Sequence, residues 1–232
     1  KVNSVESGSQ LADFWVEDSL LLDSVSQVEM RDVLSRVDLS DFELPMQLNE
    51  RVLAELVLLS KRIPKFTSGS LMRLQQYEEM IAQNFRSAGL PRELMYLALV
   101  ESGFKATAYS SAKASGVWQF IPSTGRAYGL DLDWWIDERR NPEKATLAAA
   151  SYLKRLYGRF GDWYLAMASY NCGEGCVSRA IRKAGHSNYW ELRLPSETAH
   201  YVPRIIAASI IAKNPELFGL DASANIRFGL DY

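Results

Sequence analysis

Every residue of the stretch YLALV at 96–100 is apolar or aromatic, and the next residue is Glu101. A carboxyl at the end of a buried helix loses hydration, which penalises its charged form and holds its proton to higher pH. Such a group is suited to general acid catalysis near neutrality. Standing alone, the plainer reading is the stronger one: a hydrogen-bonded Glu at a helix C-terminus. The sharper reading depends on the company Glu101 keeps. Cys172 and Cys176 are the only cysteines, four residues apart, and His186 and His200 are the only histidines. Those four residues lack the ligand spacing of a zinc site, so a disulfide or two free thiols are the open readings.

The elements that must position these residues read as helices almost throughout. Residues 11–37 place Leu11, Phe14, Trp15, Leu20, Leu21, Leu22, Val25 and Val28 among acids and serines, which suits one or two amphipathic helices. Pro45 breaks the segment 41–50, and Asn49 with Glu50 opens a helical run that stops at Pro64. One helix is expected over 68–87. Another is expected from Pro91, at its first position, to about Ser102. A loop of small and polar residues covers 103–116, a helix start follows Pro122, and a loop with Trp134 and Trp135 spans 131–142. Helices are expected over 143–160, 161–171, 173–185 and 196–215, with Pro203 bending the last or marking its first turn. No period-2 stretch supports a sheet, so the fold class is mainly α.

Three stretches share an order with a known family. The first, ESGFKATAYSSAKASGVWQFIPSTG at 101–125, opens with Glu-Ser, has a serine nine residues after the Glu, and continues with Gly-x-x-Gln and Pro-x-Thr. The second is ASYNCGEG at 168–175 and the third ETAHYV at 197–202. Together they resemble the lytic transglycosylases of the soluble type, whose fold is that of goose-type lysozyme. DWWIDERRNPEKAT and YLAMASYN bring the chain nearest to the membrane-bound murein transglycosylase D subgroup. The similarity extends over about 48–220. The division it implies is a helical arm at 1–47, a lysozyme-like catalytic domain at 48–220 and a tail at 221–232.

The resemblance implies cleavage of the β-1,4 bond between N-acetylmuramic acid and N-acetylglucosamine in peptidoglycan. It makes Glu101 the sole acid/base and a 1,6-anhydromuramyl end the product, whereas most glycosidases use two carboxylates. It has Ser110 orient Glu101 or the sugar's acetamido group and Gln119 line the groove floor. Tyr170 would donate a hydrogen bond near Glu101, Asn171 shape the adjoining turn, and Tyr201 close the site. Without the motifs, Ser110 reads as a loop residue, Gln119 and Asn171 as partners of backbone groups, and the two tyrosines as core. Trp118, Phe120, Trp134 and Trp135 could stack on sugar rings, with burial the better reading for at least two of them. The chain departs from the family pattern at Cys172, where Ala or Ser is common, and at Cys176, where the subgroup has Arg. Lys113 stands where many relatives have Gly.

Composition agrees with this reading. The chain has 232 residues, enough for one globular unit with an extension, and its net charge of −2 gives no field that would draw nucleic acid. No cofactor or metal is implied, and the expected partner is the glycan strand, met as a monomer. No run of eighteen apolar residues is present, and the first residue is Lys1. The chain therefore reads as a trimmed product whose signal or membrane anchor would lie outside it. The substrate implies a periplasmic or secreted location, where an oxidising environment favours a bridge between Cys172 and Cys176. Gly173 and Gly175 would let the turn between them adapt. Two other readings stand beside this one: a hydrolytic lysozyme on the same fold, acting on native or modified peptidoglycan, and a non-catalytic glycan-binding module. Binding alone gives no reason to bury a carboxyl at Glu101.

Overall fold

The computed structural model describes residues 24–220, with side chains from Val28 onward. Helices α1 (Ser24–Ser35), α2 (Glu50–Val57), α3 (Pro64–Leu74), α4 (Glu78–Ala88), α5 (Leu97–Ser102), α6 (Pro122–Ala127), α7 (Pro142–Phe160), α8 (Trp163–Cys172), α9 (Glu174–Ala184) and α10 (Ser196–Lys213) account for most of it. Among the described residues the only β pairings are isolated bridges, so the mainly α class expected from the sequence is what forms. The expected helical positions before residue 24, and the tail at 221–232, lie outside the described residues.

Local signals explain most boundaries. Asn49 caps α2 by accepting from the backbone N–H groups of Arg51 and Val52, Asn141 caps α7, and Asp162 caps α8. Pro64, Pro122 and Pro142 open their helices, where the missing N–H has no intrahelical partner to lose. Two expectations are corrected. The single helix predicted over 68–87 is two, α3 and α4, separated at 75–77. No Gly or Pro marks this break; α3 packs on α5 while α4 packs on α7, so tertiary contacts turn the chain. Pro91 precedes a 3-10 turn, Arg92–Tyr96, with extended ψ, and α5 proper begins only at Leu97.

One hydrophobic core runs through the described chain. Met30, Leu34, Val37 and Leu44, which precede residue 48, are buried in the same cluster as α5, α8 and α10. Helix α10 lies at its centre, against α2, α5 and α8. A buried ion pair joins α10 to α2: Arg204 Nε and Nη2 donate to the two oxygens of Glu55, at 2.6 and 3.2 Å. Pro203 sits inside α10, not in its first turn, and cannot donate to the carbonyl of Ala199 four residues back. The buried Tyr189 hydroxyl fills that gap, donating towards Ala199 O at 3.1 Å and Thr198 O at 3.0 Å. No helix among the described residues is long and apolar enough to cross a membrane.

The loop at 103–121 has no regular structure and is stapled instead. Ser102 Oγ donates to Val117 O at 2.7 Å. The buried Arg139 side chain donates to Lys113 O and Phe120 O while pairing with both oxygens of Asp137. Gly116, at φ +82°, lies so close to Arg139 that an added Cβ would fall 1.8 Å from its carbonyl oxygen. Lys113 also adopts a left-handed backbone, at φ +62°, where glycine carries no steric penalty. Its side chain is exposed, so removal sacrifices little packing. Lys113→Gly should therefore raise unfolding free energy by about 1 kcal/mol, the usual scale of left-handed strain in an L-residue. Equilibrium urea unfolding measures this, and a clear loss of stability would refute the strain argument.

Candidate functional site

Glu101 is the penultimate residue of α5 and only 5% exposed. Gly103 ends the helix with a left-handed backbone at φ +58°, which turns the chain directly into the stapled loop. From α10, the Tyr201 hydroxyl donates to Glu101 Oε1 at 2.6 Å. Burial pushes the Glu101 carboxyl up to about 8; the Tyr201 hydrogen bond opposes this by favouring the anion, and the negative charge of Glu197 adds to it. Removal from water is the largest of these effects. The same burial holds the hydroxyls of Tyr170 and Tyr201 protonated well above the ordinary tyrosine range.

A cavity of about 170 Å³ opens beside Glu101, lined by Ala114, Gln119, Phe120, Ile121, Thr124, Tyr152, Tyr170, Asn171, Cys172 and Gly173. Three expected site residues, Gln119, Tyr170 and Asn171, thus meet Glu101 at one cavity, and Tyr201 reaches the carboxyl from behind. Gln119 has φ +49° and donates through Nε2 to Gly116 O at 2.8 Å and Ala108 O at 3.3 Å. These bonds fix the amide orientation, so its Oε1, buried and without a hydrogen-bond partner, is an acceptor. Asn171 Oδ1 accepts from Thr198 Oγ1 at 2.7 Å, and Nδ2 donates to Glu197 Oε1 at 3.0 Å. Tyr170 donates to the backbone carbonyl of Trp118 at 2.8 Å, which ties α8 to the loop beside Glu101. Ser110 is engaged within its own loop, its Oγ accepting from Ala114 N–H at 3.1 Å, and it is not part of the cavity lining.

Of the four candidate stacking residues, Trp118 is wholly buried and donates from Nε1 to Thr146 Oγ1. Phe120 is nearly buried yet lines the cavity, within an aromatic group that includes Tyr152 and Tyr170. Trp134 and Trp135 stand in solvent. Sequence reasoning missed Tyr152 and Glu197. Glu197 lies one helical turn before Tyr201 inside the ETAHYV stretch, and that four-residue spacing was the available signal. Tyr152, raised to about 12 chiefly by burial, carries no comparable mark within the small-residue run of α7.

Cys172 and Cys176 form a disulfide, with Cα atoms 5.8 Å apart, across the junction of α8 and α9. Gly173 there has φ +83°, breaking what would otherwise be one continuous helix. Cys172 lines the cavity, so the bridge fixes one wall. Glu174, the first residue of α9, pairs with Arg155 of α7 and pins the same corner from outside. Among the described residues no cluster of three or more His, Cys, Asp or Glu could hold a metal ion.

The chain is similar to several known proteins. The transglycosylase SLT domain family matches residues 78–193. The membrane-bound lytic murein transglycosylase D of Escherichia coli is 42% identical over 154 residues, covering 64% of this chain and 34% of that protein. The peptidoglycan transglycosylase of Escherichia phage T7 is 36% identical over 130 residues, 54% of this chain and 10% of that protein. The chain thus spans about a third of the length of transglycosylase D. Among solved structures, an inactive mutant of the lytic transglycosylase Slt from Pseudomonas aeruginosa aligns with a TM-score of 0.48 and 19% identity, covering 74% of this chain and 31% of that one.

Two outcomes follow from the geometry. A carboxyl raised to about 8 in the folded state, against 4.5 ordinarily, stabilises the fold most below about 4.5, and that contribution is lost as pH rises through about 8. Gln matches the protonated acid in shape and does not titrate. The Tm of Glu101→Gln should therefore climb relative to wild type between those pH values; a pH-independent difference would mean the carboxyl is not raised. The unfolded, unreduced protein should accept no thiol alkylation, and two equivalents after reduction, by intact mass.

Proposed function

The chain belongs to the transglycosylase SLT domain family, and from that membership we propose that it cleaves the β-1,4 bond between N-acetylmuramic acid and N-acetylglucosamine in peptidoglycan, leaving 1,6-anhydromuramyl ends. The observation that carries this reading is a single buried carboxyl, raised to about 8, at the head of a small aromatic-lined cavity. At neutral pH Glu101 is mostly protonated. Tyr201 occupies Oε1, so the transferable proton belongs on Oε2.

In the proposed reaction Glu101 gives this proton to the glycosidic oxygen, which takes the electron pair of the breaking bond. Positive charge grows on the muramic sugar and is met by the oxygen of its own 2-acetamido group. Glu101, now a carboxylate, removes the proton of the 6-hydroxyl as that oxygen bonds to the anomeric carbon. The acid is restored and no water is consumed. Burial serves both halves, because a pKa near the working pH makes Glu101 a competent acid and then a competent base. Tyr201 steadies the carboxylate between them. Gln119 Oε1 is the acceptor for a donor on the sugar, Asn171 holds the turn, and Phe120, Ile121 and Tyr152 keep the pocket poor in water. Ser110 keeps the loop in shape instead of touching Glu101, as its bond to Ala114 suggests.

The acting unit in this proposal is 48–220, with Met30, Leu34, Val37 and Leu44 of the arm packed on it, working as a monomer on glycan strands in the periplasm or outside the cell. Glu101→Gln should lower cleavage of purified sacculi by at least about 10²-fold, the usual minimum for loss of a general acid. Products of the wild type should be lighter by one water than those of a lysozyme, by mass spectrometry of released muropeptides. Reducing muramic ends as the main product would move the chain to the hydrolytic reading, and wild-type clearance by Glu101→Gln would end the assignment of the acid.

A further inference from the structure

Trp134 and Trp135 are 89% and 87% exposed, and Ile136 beside them is half exposed. Large aromatic side chains rarely stand in solvent without a use. Their turn is rigidly built. Asp133 Oδ1 accepts from the N–H groups of Trp135 and Ile136, both at 2.7 Å, and Asp133 N–H donates to Ile136 O at 2.9 Å. The turn is also joined to the cavity wall. Arg126 of α6 donates to Leu132 O, and Gly125 of α6 lies against the side chains of Leu132 and Arg139. Ile121, the N-cap of α6, and Thr124 within it line the cavity. The tryptophans therefore stand one short helix beyond the site of Glu101.

We propose that Trp134 and Trp135 form an outlying subsite that stacks on sugar rings of the same glycan strand whose bond is presented to Glu101. The inference rests on the peptidoglycan reading and deepens it, by assigning grip on long strands to a place away from the chemistry. The area involved argues against a protein partner. Two tryptophans bury about 150–250 Å² each, short of the roughly 800 Å² per side that a stable protein interface uses. Charge argues against a membrane. The segment 131–138 contains four carboxylates and no cation; Asp137 and Glu138 are engaged by Arg139 and Lys144, but Asp131 and Asp133 remain exposed and repel anionic lipid. A neutral sugar ring has apolar faces for indole and hydroxyls that such carboxylates accept from. Continuity with the cavity through α6 places those rings on the substrate itself.

The test uses Glu101→Gln, so that binding is read without cleavage, and co-sedimentation with purified sacculi. Replacing Trp134 and Trp135 together by Ala should weaken binding by about tenfold or more, the scale on which buried contact tryptophans act. Replacing both by Phe should restore most of it, which separates stacking from any change of fold. Unaltered binding by the Ala pair overturns the subsite. So does a loss confined to anionic phospholipid vesicles, which assigns the tryptophans to a membrane, or a change only in self-association by sedimentation velocity. Failure of Glu101→Gln itself to bind sacculi sinks the peptidoglycan reading, and this inference with it.

Discussion

A carboxyl group deprived of water is the constraint around which this molecule is organised. Glu101 loses its hydration to the apolar faces of α5 and its neighbours, and one hydroxyl, that of Tyr201, replaces a part of it. That hydroxyl must arrive from α10 with its oxygen 2.6 Å from the carboxyl. The register of α10 is set in turn by Arg204 on Glu55 and by Tyr189 serving the Ala199 carbonyl that Pro203 leaves short of a donor. Buried ion pairs of this kind are better evidence for a fixed geometry than for net stability, since the desolvation of both partners offsets much of their attraction. The pair and the tyrosine hold the helix where a small displacement would leave Glu101 either dry and alone or wet and ordinary.

The opposite wall is held by a different kind of chemistry. Residues 103–121 contain three non-glycine residues at positive φ: Phe104, Lys113 and Gln119. No continuous helix or sheet ladder runs along such a path, so short backbone turns and bridges are supplemented by side chains. Ser102, Arg139 and the Gln119 amide all donate to carbonyls of this loop. The result is a wall held largely from within, in which Gln119, a residue of the cavity lining, keeps a buried Oε1 with no hydrogen-bond partner. A strained, over-determined loop beside a raised carboxyl is the arrangement in which local stability has been given up for geometry.

Much of this was legible in the sequence, and the exceptions share a cause. Asn49 announced the start of α2 and Pro122 that of α6, and the apolar run before Glu101 announced a carboxyl in a dry place. The break between α3 and α4 was invisible because Leu71, Leu74, Ile81 and Phe85 keep one helical period across it; only the different neighbours of the two helices demand the turn. The position of Ser110 relative to Glu101 depended on how the loop folds back on itself, which spacing along the chain does not encode. The burial of Arg204 follows from an acid that the fold alone brings to it, Glu55, whereas Arg139 meets Asp137 two residues back and is buried against the loop carbonyls of Lys113 and Phe120. Glu197 is the instructive omission: a second carboxylate one turn from Tyr201 was present in the quoted stretch, but its effect on Glu101 acts through space between two helices.

The distance in sequence between Glu101 and its partner has a further consequence for when its carboxyl is raised. Tyr201 is 100 residues beyond Glu101, and Arg204 is 149 beyond Glu55. Contacts of such long range form late, because closing a large loop costs chain entropy before any contact rewards it. Until α10 docks, Glu101 sits in water and titrates as a plain carboxylate, ionised at neutral pH and unable to donate a proton. The raised carboxyl is thus a product of the assembled fold, not a property the chain carries from the start. Under the proposed mechanism, a chain whose α10 is not docked lacks its acid, and the acid emerges with completion of the fold.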